Sequence, residues 1–303
     1  MGAQLRAVRQ RISAIQSTAK ITRAQELIAA SRIIRAQQRM RAAAPYAAEL
    51  QRAMEAVVSR SANIDHPLVR RPGGAERAAV LILTSDRGFA GGYNANVLRE
   101  AQRLRAMLEE QGVAVTTYVS GFKGITWHRF RGRELAGEWS GFSDNPAQAN
   151  AAEITSALLD AFEQPASEGG VDELHLVHTE FISMLSQRPS ARRMLPLEVE
   201  EVEGEPPTGP VPLYEFEPSP QAVLDALLPW YVENRIYHAL LESAAAEIAS
   251  RRRAMKSATD NANELLEQLT RDANKARQAE ITQEISEIVG GANALAETFA
   301  GSE

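Results

Sequence analysis

WYVENRIYHALLESAAAEIASRRRAMKSATDNANELLEQLTRDANKARQAEITQEISEIV, residues 230–289, contains neither glycine nor proline, and its reading decides the fold. Glycine and proline are the strongest helix breakers, so the stretch reads as one uninterrupted helix. Residues 3–44 share the property, while fifteen of the nineteen glycines fall between Gly73 and Gly209. At about 1.5 Å of rise per residue, the two stretches reach roughly 60 and 90 Å. No compact domain of this chain length has an interior that long, so the helices are expected to project from a globular part.

The apolar spacing predicts that the two ends pair. Leu5, Val8, Ile12, Ile15 and Ala19 alternate at threes and fours. Ile281, Ile285, Ile288, Ala292, Leu295 and Phe299 repeat that rhythm, with Ala262, Leu265 and Leu269 as an earlier piece of it. Such a narrow stripe is a coiled-coil seam rather than a broad core face. The seam is dilute, because alanine, asparagine and threonine occupy many positions and bury little area at about 25 cal/mol per Å². A long, thin coil that depends on partners is the expectation.

Between residues 76 and 216 the rhythm changes. The run 78–84 (AAVLILT) reads as a buried strand ending in the turn Ser85-Asp86-Arg87-Gly88-Phe89-Ala90-Gly91-Gly92. A helix is predicted over 94–110, a strand over 113–119, a helix over 122–130 and a weak strand over 134–139. A helix at 150–162 and a strand at 174–181 follow. Alternation of this kind argues for an α/β layer with mostly parallel pairing. The domain plan is therefore a first helix over 1–60, a central α/β domain over 76–216 and a last helix over 220–303.

The net charge of −6 is unevenly spread. Residues 3–44 hold nine lysines and arginines against the single acid Glu26, whereas the stretch 195–234 has no basic residue. The acidic, proline-rich 203–212 reads as an exposed loop. A basic helix suits nucleic acid, anionic lipid or an acidic protein surface, or is simply solvated. Its charges surround the helix instead of forming one stripe, which disfavours lying on a membrane. The chain has no cysteine, which excludes disulfides and thiolate chemistry. No apolar run approaches the roughly 20 residues that cross a bilayer. The Arg-rich start is transit-peptide-like in composition, but the seam already begins at Leu5, so it reads as mature structure. A reducing, cytoplasm-like compartment is expected.

The turn at 84–92 sits where phosphate loops sit, after a strand and before a helix. It lacks the Lys-Ser/Thr of a P-loop, and Gly88, Gly91 and Gly92 miss the dinucleotide spacing, so a tight structural turn is the favoured reading. His175 and His178, three apart on a strand, point to opposite faces, a poor geometry for sharing a metal. No catalytic constellation, cofactor site or metal site is recognisable. The polar cluster 256–263 with 274–282 is rich in poor helix formers. On a helix that must stay straight, that favours specific polar contacts with partner loops.

These residues carry a resemblance over nearly the whole chain. Ile21-Thr22-Arg23-Ala24 with Ala29-Ala30-Ser31, Thr84-Ser85-Asp86-Arg87-Gly88 with Gly91-Gly92-Tyr93-Asn94, Met255 through Ala262, and Asn274 through Val289 resemble the gamma subunit of rotary ATP synthases of the bacterial type. The resemblance implies an antiparallel coiled-coil shaft of the terminal helices plus a central Rossmann-like α/β domain. It implies a non-catalytic central-stalk rotor without cofactors. Its partners would be alpha and beta subunits of the catalytic hexamer, the epsilon subunit and the membrane ring of c subunits, at the cytoplasmic face of the cell membrane. Nucleic acid and direct bilayer insertion are not expected.

By resemblance, Arg277, Gln278 and Thr282 face the catch loops of alpha and beta, with Lys256, Thr259 and Asp260 near the same level. Gln25 stands where many relatives carry methionine. Ala292, Leu295 and Phe299 belong to an apolar bearing at the shaft tip. The regulatory cysteines of chloroplast relatives are absent. Two other classes stay open on residues alone. One is an α/β nucleotide-binding protein with helical oligomerisation arms, which requires an intact phosphate loop. The other is a nucleic-acid-binding coiled coil, which requires a basic footprint against an acidic balance.

Overall fold

The structure, a computed structural model, describes residues 2–60, 75–165, 168–197, 217 and 219–300. Within the long helices it describes the side chains of residues 5–54, 56, 57 and 221–292. The acidic stretch 203–212 lies outside these residues. In chain order the elements are α1 (Gly2–Arg60), β1 (Arg77–Leu83), α2 (Tyr93–Glu110), β2 (Ala114–Ser120) and α3 (Phe122–Phe130). Then come β3 (Gly137–Trp139), α4 (Gln148–Glu163), β4 (Glu173–Phe181), β5 (Gln187–Leu195) and α5 (Pro220–Ala300). They form two compact units: residues 1–28 with 253–303, and residues 29–252. Both long helices contribute to both units.

Both long helices outrun their proline-free stretches, through Pro45 in α1 and Pro229 in α5. Each proline deletes one helical hydrogen bond. Both are exposed, and apolar residues on the opposite face (Leu50, Met54, Leu224, Leu228) are buried and hold the helix together.

In the larger unit the sheet order is β3-β2-β1-β4-β5, parallel except for the antiparallel β4–β5 pair. Strand β1 is central, and its alternation assigns the two faces. Ala79, Leu81 and Leu83 join Tyr118, Leu174 and Leu176 under α4 (Ile154, Leu158, Phe162), α5 (Leu224 to Leu240) and Met54 and Val57 of α1. Ala78, Val80 and Ile82 join Val119 and Val177 under α2 (Val97, Leu98, Leu104, Leu108) and Ile125 of α3. The result is three layers, helices on both faces of a sheet, as an α/β reading requires. Within this unit α1 and α5 run antiparallel. Ala29 and Ile33 pack with Ala245, Ile248 and Ala249, whereas Met54 and Val57 share a cluster with Leu224 and Leu228.

Strand β5 went unread in the sequence. Its residues, QRPSARRML, break alternation with three arginines and a proline. An edge strand tolerates both, since Pro189 gives up a hydrogen bond only on the pairing it lacks and the arginines face water.

In the smaller unit α1 buries or half-buries Leu5, Val8, Ile12, Ile15, Ala19, Thr22 and Glu26, a strict three-four repeat that contains the predicted seam. On α5 the inward positions are Met255, Thr259, Ala262, Leu266, Leu269, Ala273, Ala276 and Glu280. This corrects the seam read for α5. Leu265 is more exposed than Leu266, and Ile281, Ile285 and Ile288 are 48, 56 and 71 % exposed. Spacing reveals that an apolar stripe exists, not what covers it. Thr22 sits opposite Thr259 in the antiparallel pair. From Ile281 to Ala292 every side chain of α5 is exposed.

Candidate functional site

Two places were singled out by sequence: the turn after β1 and the polar faces of α5. At the turn, Asp86 is fully committed to backbone. One carboxylate oxygen accepts the Phe122 N–H at 2.9 Å, and the other accepts those of Gly141 (2.8 Å) and Ser143 (2.9 Å). Its own N–H donates to Ser143 Oγ at 2.9 Å. Asp86 therefore caps α3 and pins the 141–143 loop, since carboxylates stabilise exposed N–H groups at helix starts. Ser85 N–H donates to Asn94 Oδ1 at 2.9 Å, closing the turn onto α2. The Thr84 hydroxyl lies within hydrogen-bond distance of the carbonyls of Ser120 and Gly121, which share its one proton, and accepts the Gly124 N–H. Gly121, at φ +109°, lies so close to Thr84 that an added Cβ would sit 2.2 Å from its carbonyl oxygen.

Arg87 does not pair with Asp86; it reaches Asp144 at 3.3 Å. Asp144 also receives Arg32 of α1 at 2.8 Å, and Asn145 receives Arg39. From the other side Arg251 of α5 donates to the carbonyl of Gly88 at 3.2 Å and to that of Arg87 at 3.3 Å. The same guanidinium binds Glu247 Oε1 at 2.6 Å. Glu247 is 1 % exposed. Burial pushes its carboxyl up, and the Arg251 charge pulls against that shift.

In a doubly wound sheet, ligands bind outside the carboxyl ends of the strands where chain order reverses, here beside β1 and β4. Helix α5 fills that crevice. Tyr93, buried, donates to the Ser243 carbonyl at 3.3 Å and packs with Ala90, Ala246 and Phe181. Burial raises its phenol well above the usual range, and the nearby Glu247 charge adds to the shift. A buried Glu–Arg pair on a helix thus occupies the place of a ligand. The four-residue Glu247–Arg251 spacing was visible in the sequence, as a helical ion pair. What it reaches was not.

The polar residues of α5 divide by orientation. Lys256, Asp260, Arg277, Gln278 and Thr282 are exposed, as is Gln25 of α1. Thr282 Oγ1 donates back to the Gln278 carbonyl at 2.9 Å. Thr259 is the correction. It is 8 % exposed and faces the seam, with Thr22 Oγ1 at 2.8 Å and the Met255 carbonyl at 2.9 Å. Thr22 Oγ1 also lies 3.1 Å from the Ala19 carbonyl, so two hydroxyl protons are shared among three contacts and either threonine can donate to the other. A residue on the heptad seam has no outward face, whatever its polarity. Ala292 is exposed; the side chains of Leu295 and Phe299 lie outside the described ones.

The two remaining histidines of the strand engage different carboxylates: His175 meets Glu173 at 2.7 Å, and His178 meets Glu242 of α5 at 3.1 Å. His238 lies 3.6 Å from the same Glu242. Burial would raise the Glu242 carboxyl, but hydrogen bonds and charge from the two histidines bring it down to about 2. Among the described residues no group of three or more metal-ligating side chains gathers. No described helix is long and apolar enough to cross a membrane.

A doubly wound domain whose ligand crevice is closed by its own helix, joined to a two-helix coil with an uncovered end, defines a structural subunit that works through partners. The comparisons give the particular family. The ATP synthase family model matches residues 4–295. The ATP synthase gamma chain of Thermobifida fusca (strain YX) is 60 % identical over the whole of both chains. That of Acidothermus cellulolyticus is 59 % identical, again over the whole of both. A chain in the OSCP/F1/c-ring structure of the Euglena gracilis mitochondrial ATP synthase, rotational state 3, shares the fold. Its TM-score is 0.68 at 15 % identity, over 97 % of this chain and 95 % of that one. The chain belongs to the ATP synthase gamma chain family.

Proposed function

We propose that this chain is the non-catalytic central-stalk rotor of a proton-translocating ATP synthase. The smaller unit turns within a ring of alternating alpha and beta subunits. The α/β domain meets the epsilon subunit and the membrane ring of c subunits, at the cytoplasmic face of the cell membrane and without entering the bilayer. The observation that carries the reading is the bare end of α5. Twelve successive residues, 281–292, are exposed, and Ile281, Ile285, Ile288 and Val289 lie among them. A helix that keeps an exposed apolar stripe needs another surface to cover it.

The division of labour follows from chemistry. Lys256, Asp260, Arg277, Gln278, Thr282 and Gln25 offer directional groups to the catch loops, and Thr259 supports them by fixing helix register. Ala292, Leu295 and Phe299 continue the apolar stripe as a bearing, where non-directional contact lets the shaft turn. Asymmetric contacts are essential, because a rotor with equal contact energy in every orientation shifts no equilibrium at the catalytic sites. The nucleotide-binding alternative loses ground because Arg251 and Tyr93 already fill the crevice that a nucleotide would need.

Reconstitution tests the reading. The isolated chain has no ATPase activity, and adding it in stoichiometric amount to alpha and beta subunits raises hydrolysis to that of the complete complex. Hydrolysis by the chain alone, or no response of the alpha–beta mixture to it, contradicts the proposal.

A further inference from the structure

A cavity of about 400 Å³ opens within the larger unit, between α1, α5 and the β4–β5 edge of the sheet. That volume is in the range of small-molecule sites. Its apolar lining comes from Leu176, Met194 and three alanines, Ala47, Ala48 and Ala239. Its charged lining is Glu180, Glu242, Arg192 and Arg235. Glu180, one of two carboxylates there, is held by Arg188 at 2.7 Å and by Arg192 at 2.6 Å. The other, Glu242, is held between His178 and His238.

Both acids are thus spent inside the wall. Arg235 also lines the cavity, and among the described residues no carboxylate pairs with it. Its guanidinium rests 5.9 Å from the Tyr231 ring centroid, a contact that leaves its N–H groups available in the ring-edge direction. Arg192 is taken up by Glu180, so Arg235 is the guanidinium of the lining left to meet a ligand. Asn234 adds an amide donor one residue away.

We propose that this cavity binds a small organic anion, a carboxylate or phosphate on a short apolar body, with Arg235 as its charged ligand. Arginine matches the two oxygens of such a group with two parallel N–H donors. The apolar lining takes the body, and Asn234 completes the polar contacts. The site is remote from the exposed face of α5 at 277–292 in sequence and chemistry, and it stands whether or not the rotor reading does.

The test uses the full chain and the ring resonances of His178 and His238, which line the cavity, during titration with butyrate, propyl phosphate, butyramide and chloride. Saturable shifts with butyrate or propyl phosphate are expected, and none with butyramide. His128 and His175, which do not line the cavity, hold still and report an intact fold. Arg235→Gln weakens binding by about tenfold or more, the usual loss for a charge-assisted hydrogen bond. Asn234→Asp, which places a negative charge beside the ligand, weakens it as well. Shifts that never saturate, an equal response to chloride, or unchanged affinity in both variants overturns the proposal.

Discussion

Replacing Asp86 by alanine removes acceptors from three backbone N–H groups at once, those of Phe122, Gly141 and Ser143. A hydrogen bond to a charged acceptor contributes about 1.5–3 kcal/mol net where water is excluded. Asp86 is half-buried and two of the three bonds are exposed, so water recovers part of each. About 1 kcal/mol per bond is the appropriate figure, or about 3 kcal/mol for Asp86→Ala. Asparagine keeps one carbonyl oxygen. If it takes the place of the oxygen serving Gly141 and Ser143, the amide nitrogen faces the Phe122 N–H, so one bond is lost and two donors meet. Asp86→Asn should therefore cost about 1.5 kcal/mol. Urea unfolding followed by circular dichroism measures both. An Asp86→Ala variant within about 0.5 kcal/mol of the parent refutes the capping role, that being the usual range of inert surface substitutions. So does an asparagine variant more damaged than the alanine one. Calorimetry on the same proteins should detect no ATP binding at millimolar concentration. Saturable binding lost on Arg87→Ala would instead restore the nucleotide reading.

The remaining predictions concern the helices, the close approach at Gly121 and the Glu242 centre. Thr22→Val or Thr259→Val alone should cost about 1 kcal/mol, and the double variant less than the sum, with a coupling energy of roughly 0.5–1.5 kcal/mol in a double-mutant cycle. Additivity would show that the two hydroxyls do not bond. Gly121→Ala meets the Thr84 carbonyl at 2.2 Å and should destabilise the larger unit by more than about 3 kcal/mol; a fully stable variant would refute the close approach. Gln278→Ala should weaken contact with the hexamer by about 0.5–1.5 kcal/mol and Arg277→Ala by roughly twice that. Wild-type yield and turnover of the complex in both variants would remove these residues from the interface. The carboxyl of Glu242 is depressed from 4.5 to about 2 in the folded chain. Its contribution to stability is thus complete above pH 4.5 and is lost as pH falls toward 2. Glu242→Gln should flatten that part of the pH–stability curve, and an unchanged slope would contradict the His178–Glu242–His238 arrangement.

Much of this was legible before any coordinates. The absence of glycine and proline fixed the long helices, and the AAVLIL run with its glycine turn fixed the central strand. Strand β5 was hidden because an edge strand has no need of the apolar alternation that reveals a strand. The α5 seam was misplaced by a comparable cause. Two apolar stripes run along the same helix, one covered by α1 and one uncovered, and periodicity weighs them alike. Thr259 was misjudged because polarity was read as exposure, although a seam threonine can find its partner in Thr22. The role of Asp86, and what Arg251 reaches beyond Glu247, were out of reach, since those partners lie 36 to 164 positions away along the chain.

The most direct test of the rotor is to watch it turn. The chain has no cysteine, so Ala106→Cys on the exposed side of α2 gives a single attachment point for an optical probe. With the alpha–beta hexamer fixed to a surface and ATP supplied, the account predicts stepwise rotation of that probe in one direction, at a rate set by hydrolysis. A probe that keeps one orientation while the assembled hexamer hydrolyses ATP at the full rate would contradict it.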